Sequence, residues 1–385
     1  MAPTAGGGHF AFAARAHPLS PRPDWLVSLP LSGAEVGVGV TVAGPEAPPS
    51  ARPRVHVARA AGLVVAIAAL ALVCLLSIWV GTKQVGFFAV WDLLRHNDGS
   101  SDALIVHDLR VPRTLLGVLV GAALGLAGAL MQSLTRNPLA EPGILGINLG
   151  ASAAVVVAIA FLNISGVLGY VWFAFAGAGI ASVFVYLLGS SGRSTASPDR
   201  LVLAGASVTA VLGAFTWAVQ YLDPSAFDQF RFWQVGSLSG RPLSVVGQIA
   251  PFVLVGIVLA LSLGRSLNVL ALGDEAGRAL GVNVRRTRVL VAVAVTLLCG
   301  GATAGAGPIL FLGLAVPYAA RLLVGADQRW VLPYSMLLSP ILLLGSDLVG
   351  RVIIAPAEMQ VGIVTAFLGA PLFIALCRRR RLASL

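Results

Sequence analysis

Lysine is almost absent from this 385-residue chain: Lys83 is the only one, and it follows Gly81-Thr82. A Gly-Lys-Ser/Thr phosphate-binding loop therefore has no place in the sequence, and if ATP drives this protein, another chain hydrolyses it. All five histidines (His9, His17, His56, His96 and His107) precede residue 114, so the later apolar runs hold no histidine cluster for zinc or proton-transfer chemistry. No metal site is expected. Acidic residues are missing from the middles of those runs, where proton- and ion-coupled carriers place functional carboxylates; Asp347 alone lies near the end of one. Carriers that bind sodium through backbone carbonyls escape that argument. The three cysteines, Cys74, Cys299 and Cys377, sit within or at the ends of apolar runs, without the paired spacing of a disulfide or metal site.

Charge of either sign is scarce. Only 11% of residues are charged and 57% are apolar, with a mean hydropathy of +0.89, whereas a soluble domain is about 25% charged. The chain belongs in lipid. Its net charge of +10 comes from arginines placed between apolar runs, which read as topology signals and not as a nucleic-acid surface. Residues 1–55 hold nine of the 22 prolines and no signal-peptide pattern. They are expected to form a disordered cytoplasmic tail, leaving residues 56–385 as one polytopic membrane domain.

Charge-free runs stand out at 61–80, 114–135, 144–162, 167–189, 201–221 and 243–264. Four shorter ones follow, at 289–307, 308–324 (broken by Arg321), 331–346 (carrying Pro333 and Pro340) and 361–377. The reading is an all-α membrane protein of about ten transmembrane helices, at about 20 residues per crossing. With both termini inside, 19 of the 26 Lys and Arg face the cytoplasm, including Arg378 to Arg381. Lys83, Arg95, Arg110, Arg113, Arg231, Arg241 and Arg351 fall outside. Ten spans allow two inverted sets of five. Asn137, Pro138, Pro142 and Gly143 in the first half, and Gly307 and Pro308 in the second, each interrupt the chain between helices; in a membrane such backbone lies in protein or lines a cavity. Gly117, Gly121 and Gly125 recur every four residues, a smooth stripe that admits another helix closely.

Several motifs carry a family resemblance. Arg110-Val111-Pro112-Arg113, then Gly121-Ala122-Ala123-Leu124, then the run from Gln132 through Thr135-Arg136-Asn137-Pro138-Leu139-Ala140-Glu141-Pro142-Gly143 to Gly146 resemble the iron-siderophore and vitamin B12 permeases of ATP-binding-cassette (ABC) importers. So do Phe232-Trp233-Gln234-Val235-Gly236, Leu272-Gly273-Asp274-Glu275-Ala276, Gly307-Pro308-Ile309-Leu310-Phe311-Leu312-Gly313-Leu314 and Leu368-Gly369-Ala370-Pro371. The match runs over roughly residues 60–380. It implies a type II importer permease of the cobalamin-permease kind. Such a subunit binds no cofactor and catalyses nothing itself. It pairs with a second permease, a related paralogue before an identical copy, and works with two cytoplasmic ATPases that use the ATP. A soluble binding protein docks outside, lipid surrounds the helices and no nucleic acid takes part. Where many members read Val-Pro-His, this chain has Val316-Pro317-Tyr318 ahead of Arg321.

Arg110 and Arg113 are placed at the outer start of the second helix, where the helix dipole disfavours cations. They are either interfacial arginines reaching for lipid headgroups or, as the resemblance implies, docking charges for acidic residues of the binding protein. Arg351 matches a docking arginine too, but Asp347 lies four residues earlier and can pair with it along a helix. On the other side, the polar connection 267–288 holds a candidate short helix from Asp274 to Leu280, ended by Gly281. The resemblance makes this the helix that seats in the ATPase, through Asp274, Glu275, Ala276, Arg278, Leu280 and Gly281. Segment 223–241 carries Phe227, Phe230, Phe232 and Trp233, which suit an aromatic belt. The expected cargo is a ferric siderophore carried across a bacterial cytoplasmic (inner) membrane. Cobalamin, haem and an ion-coupled secondary carrier are the alternatives.

Overall fold

The structure is a computed structural model that describes residues 52–378, except 82, 84, 85, 97, 165 and 191–197. The expected N-terminal tail and Arg379, Arg380 and Arg381 lie outside the described residues, apart from the first residues of the opening helix.

Every apolar run folds as helix, as lipid requires of a chain whose backbone groups find no water. Helix α1 (Arg52–Trp79) is followed by α2 (Phe87–Arg95), α3 (Ser101–Leu104) and a π-helical turn, Ile105–Arg110, that leads straight into α4 (Val111–Thr135). A 3-10 turn at Pro142–Leu145 precedes α5 (Ile147–Ala160), α6 (Val167–Ser190) and α7 (Pro198–Leu222). Then come α8 (Pro224–Gln234), α9 (Leu243–Ser262), α10 (Gly264–Ala271) and α11 (Asp274–Ala279). The chain closes with α12 (Val284–Ala306), α13 (Leu312–Val324), α14 (Gln328–Ile353) and α15 (Val361–Arg378). Among the described residues no strand occurs.

Seven of these helices are long and apolar enough to cross a membrane, and α5, α13 and α15 are shorter apolar helices. The ten expected runs are therefore all helical, but not all of full crossing length. Helices α5 and α13 have 14 and 13 residues, about 20 Å of rise each. Each follows an irregular break that takes up part of its run.

Helices α4 and α12 form the centre, with 83% and 72% of their apolar windows enclosed, against 11% for α1. The stripe Gly117, Gly121, Gly125 faces α14 of the same chain. A Cβ at Gly121 would collide with the Pro340 backbone, one at Gly125 with the Ser335 carbonyl, and one at Gly117 with Leu344. Helix α14 passes unbroken through Pro333 and Pro340 and is longer than its apolar run. The Pro340 ring is accommodated because Gly121 offers it a surface without side chains, and Asp327 caps the helix start by accepting from Arg329 N.

Two expectations are corrected. Arg110 and Arg113 do not begin a helix: helical structure starts at Ser101, where Ser100 Oγ accepts from Ala103 N at 3.1 Å and Asp102 lies in the first turn. The dipole argument against cations therefore applies one segment earlier. The aromatic segment also divides. Phe230 and Trp233 are buried in the core with ring centroids 5.7 Å apart, while Phe227 and Phe232 stay exposed under the Arg231 guanidinium. One face of α8 packs inward, because Asp223 caps it as a true helix with helical spacing.

Candidate functional site

Of the three arginines singled out in the sequence, Arg113 and Arg351 share one carboxylate and Arg110 lines the same cavity beside them. Asp347, fully buried on α14, accepts from Arg113 Nε at 2.9 Å and Nη2 at 2.7 Å, and from Arg351 Nε at 3.1 Å. Arg113 Nη1 also donates to Glu358 Oε2 at 2.6 Å. Arg351 Nη1 donates to the carbonyls of Ser77 and Val80 at 2.7 and 2.9 Å. Arg110 donates to those of Ile78, Trp79 and Lys83 at 3.0, 2.6 and 2.6 Å. The last turn of a helix leaves four carbonyls without intrahelical partners. Here Arg351 and Arg110, from α14 and the π-helical turn, supply the missing donors for α1, at the end where the dipole favours cations.

Beside these side chains lies a polar cavity of about 150 Å³, lined in part by Lys83, Arg110, Arg113, Arg351, Ser239 and Glu358. Lys83 pairs with Asp102 at 2.6 Å. Three arginines face two carboxylates, Asp347 and Glu358, so one positive charge is left over. The ion pair of Arg351 with Asp347, weighed from the four-residue spacing, is present. The participation of Arg113, Glu358 and the α1 carbonyls was not legible, since those contacts join residues more than 30 positions apart.

A second constellation surrounds α11. The chain forms the expected helix at Asp274–Ala279, followed by Leu280 and then Gly281 at φ +80°, a left-handed position that glycine takes without strain. Asp274 reaches two other helices: Arg136 Nη2, just past α4, donates to Oδ1 at 2.6 Å, and Arg288 Nη2, on α12, donates to Oδ2 at 2.7 Å. Arg136 Nε donates to Leu270 O at 3.1 Å as well. Glu275, Arg278 and Leu280 point outward, with Leu280 62% exposed, while Ala276 is half-buried. Arg136 belongs to the motif Thr135-Arg136-Asn137-Pro138, but nothing in its sequence position announces Asp274, 138 residues away.

The two irregular breaks meet in the middle of the chain's helices. In the first, Arg136 adopts φ +51°, Asn137 Oδ1 accepts from Leu139 N at 2.9 Å, and Pro142 opens the 3-10 turn at Gly143. In the second, Gly307 (φ +79°) and Pro308 lead to Phe311 (φ +66°). Pro142 packs on Gly313, just past the second break. Gln132 Nε2 donates to Leu314 O at 3.0 Å, and Thr303 Oγ1 donates to Asn148 Oδ1 at 3.0 Å. Tyr318 is buried, and the three guanidinium nitrogens of Arg321 are buried with no hydrogen-bond partner among the described residues.

In sequence and in fold the chain is similar to known proteins. The chain is 48% identical over 305 residues to the ferric enterobactin transport system permease protein FepD of Escherichia coli (strain K12), covering 79% of this chain and 91% of that one. It is 39% identical over 303 residues to the probable siderophore transport system permease protein YfiZ of Bacillus subtilis (strain 168), again 79% and 91% of the two chains. Among solved structures, it matches an inward-facing conformation of a transporter assigned to the metal-chelate ABC type, with a TM-score of 0.74 and 27% identity over 82% of this chain and 98% of the other. Residues 69–379 match the FecCD transport family, which is most of the sequence and nearly every described helix, and the chain therefore belongs to that family.

Proposed function

We propose that this chain is the membrane-spanning subunit of an ABC importer that carries a ferric siderophore across a bacterial cytoplasmic membrane, with both termini in the cytoplasm. The observation that carries the reading is the 48% identity to a ferric enterobactin permease along 91% of that protein's length. All ten apolar helices then cross the bilayer, and the order of their lengths supports inverted repeats of five. Helices α4, α5 and α6 have 25, 14 and 24 residues, and α12, α13 and α14 have 23, 13 and 26. In each set a long helix is followed by a break, a short helix and another long one.

The arginine cavity lies on the outer side, where its unbalanced positive charge suits acidic groups of a substrate-binding protein. Arg110 is the arginine of the three with no carboxylate in its hydrogen-bond set. Helix α11 lies on the cytoplasmic side and seats in one of two ATPase subunits, which use the ATP. A second permease chain, a paralogue before an identical copy, completes the pathway. The Asp274 bridge supports this coupling role, since it links α11 to both helices that lead into the breaks.

Uptake by vesicles containing this chain, its companion permease, the ATPase and the binding protein is the test. The expected result is ATP-dependent accumulation of a ferric siderophore that survives collapse of the ion gradients and exceeds that of haem or cobalamin. Uptake that vanishes with the gradients despite ATP would overturn the importer reading, and preference for haem or cobalamin would overturn the cargo.

A further inference from the structure

Helix α1 is the least enclosed of the seven long apolar helices. Only 11% of its apolar window is enclosed, and between it and α13 and α14 runs an open groove of about 780 Å³, within the roughly 300–1,000 Å³ of small-ligand sites. On α1 its wall runs from Ala58 through Gly62 and Ala66 to Ala69, eleven residues of rise or about 16 Å. That is close to half of a hydrocarbon core about 30 Å thick, the depth of one leaflet. The opposite wall, Leu323, Leu338 and Ile341, is equally apolar. The dimensions are those of one extended acyl chain.

The mouth of the groove is cationic. Arg59 lines it, and among the described residues its guanidinium has neither an ion pair nor a hydrogen-bond partner. Its position is fixed through the backbone, because the buried Tyr334 hydroxyl donates to Arg59 O at 2.6 Å. The nearby carboxylate, Asp327, is taken by Arg329 and by Asn268 Nδ2 at 2.6 Å, and so is not free for Arg59. Outside the groove, on the same end of α1, His56 lies against the Trp330 ring at 6.1 Å, an aromatic pair of the kind usual at headgroup level. A guanidinium forked for oxygen pairs at the membrane surface, with no acid of its own, matches a phosphate.

We propose that this groove is a specific site for an anionic phospholipid, one acyl chain lying along α1 and its phosphate on Arg59. The bound lipid fills the gap that α1 leaves against α13 and α14 and fastens that helix to the rest of the fold.

The full chain is taken from vesicles of equimolar phosphatidylglycerol and phosphatidylcholine with identical acyl chains, and retained lipid is counted by native mass spectrometry. The wild type is expected to keep phosphatidylglycerol over phosphatidylcholine by about tenfold. Arg59→Gln is expected to bring that ratio to about one without lowering total lipid. Ala69→Phe, which fills the groove, is expected to release one lipid per chain while the melting temperature in detergent confirms a folded protein. Equal retention of the two lipids by the wild type would reduce the site to ordinary annular lipid and overturn the proposal. So would an Arg59→Gln chain with an unchanged ratio, or a groove found occupied by a second protein chain.

Discussion

Arg113 grips Asp347 with two nitrogens, Nε 2.9 Å from Oδ2 and Nη2 2.7 Å from Oδ1, across 234 residues of sequence. This is the bidentate geometry that arginine makes with carboxylates. The carboxylate is wholly buried and Arg351 shares it. Replacing Asp347 by Ala leaves Arg351 buried without a carboxylate and Arg113 with Glu358 alone, and removal of one partner from a buried pair costs about 3–5 kcal/mol. The expected outcome is a steep loss of folded chain in membranes, read as the monodisperse fraction after detergent extraction, whatever the binding protein does.

Docking calls for a substitution that leaves Asp347 paired. Reversing Arg113 or Arg351 to Glu does not qualify, because it unfolds the same cluster that it probes. Glu358 offers a cleaner probe. It neutralises part of Arg113 from the rim of the cavity, with a side chain 28% exposed. Glu358→Gln raises the surplus charge from one to two and is expected to tighten association with an acidic binding protein. The gain should fade as salt shortens the screening length to about 8 Å at physiological ionic strength. Weaker, salt-insensitive binding would show that the cavity does not receive acids.

At α11, Glu275 and Arg278 face outward while Asp274 holds the internal bridges. Exchanging the charges in a Glu275→Arg, Arg278→Glu double variant is expected to abolish uptake in the assembled transporter while ATP hydrolysis continues and the spans stay folded. Full transport by that variant would sink the coupling role. Asp274→Asn is expected to act differently, lowering the thermal stability of the isolated chain as well.

Two glycines separate packing from propensity. Gly121→Ala drives a methyl into the Pro340 backbone and is expected to cost about 1–3 kcal/mol, as overpacking does. Gly247 lies in α9 with nothing within 4 Å of a Cβ, and Gly247→Ala is expected to stabilise by roughly 0.5–1 kcal/mol. Melting temperatures of the two variants in one detergent check both signs.

Burial raises the Asp327 carboxyl, but hydrogen bonds from Arg329 and Asn268 outweigh it and hold the group down to about 2. An acid depressed in the folded state adds stability above its unfolded pKa, about 3.9, and loses it as pH falls through the folded value. Asp327→Asn, which keeps a capping oxygen, is therefore expected to melt lower than the wild type at pH 7, and the gap is expected to narrow between pH 4 and pH 2.

Helix existence was legible because lipid permits few alternatives: each charge-free run became a helix, and Asp274 through Gly281 carried its own start and stop signals. What escaped was long-range pairing. Arg110 and Arg113 looked like charges at a helix start because the real start, at Ser100 and Asp102, is followed by only four apolar residues, 103–106, before His107, Asp108 and Arg110 interrupt the run. Glu358 carried no signal at all, since its role depends on α14 packing along α4 so that the turn after α14 reaches Arg113. The aromatics of 223–241 were read as one belt, and only the helical register of α8 sent Phe230 and Trp233 inward.

The two oxygens of Asp274 answer to different masters, Oδ1 to Arg136 after α4 and Oδ2 to Arg288 on α12. A rigid carboxylate so divided works as a yoke: it cannot shift toward one arm without loading the other. In the coupling role proposed for α11, a push on it is delivered in step to the two central helices, and through them to the breaks at Asn137 and Gly307. On that proposal, cutting one arm, by Arg136→Gln or Arg288→Gln, is expected to leave a stroke that pulls on half the molecule.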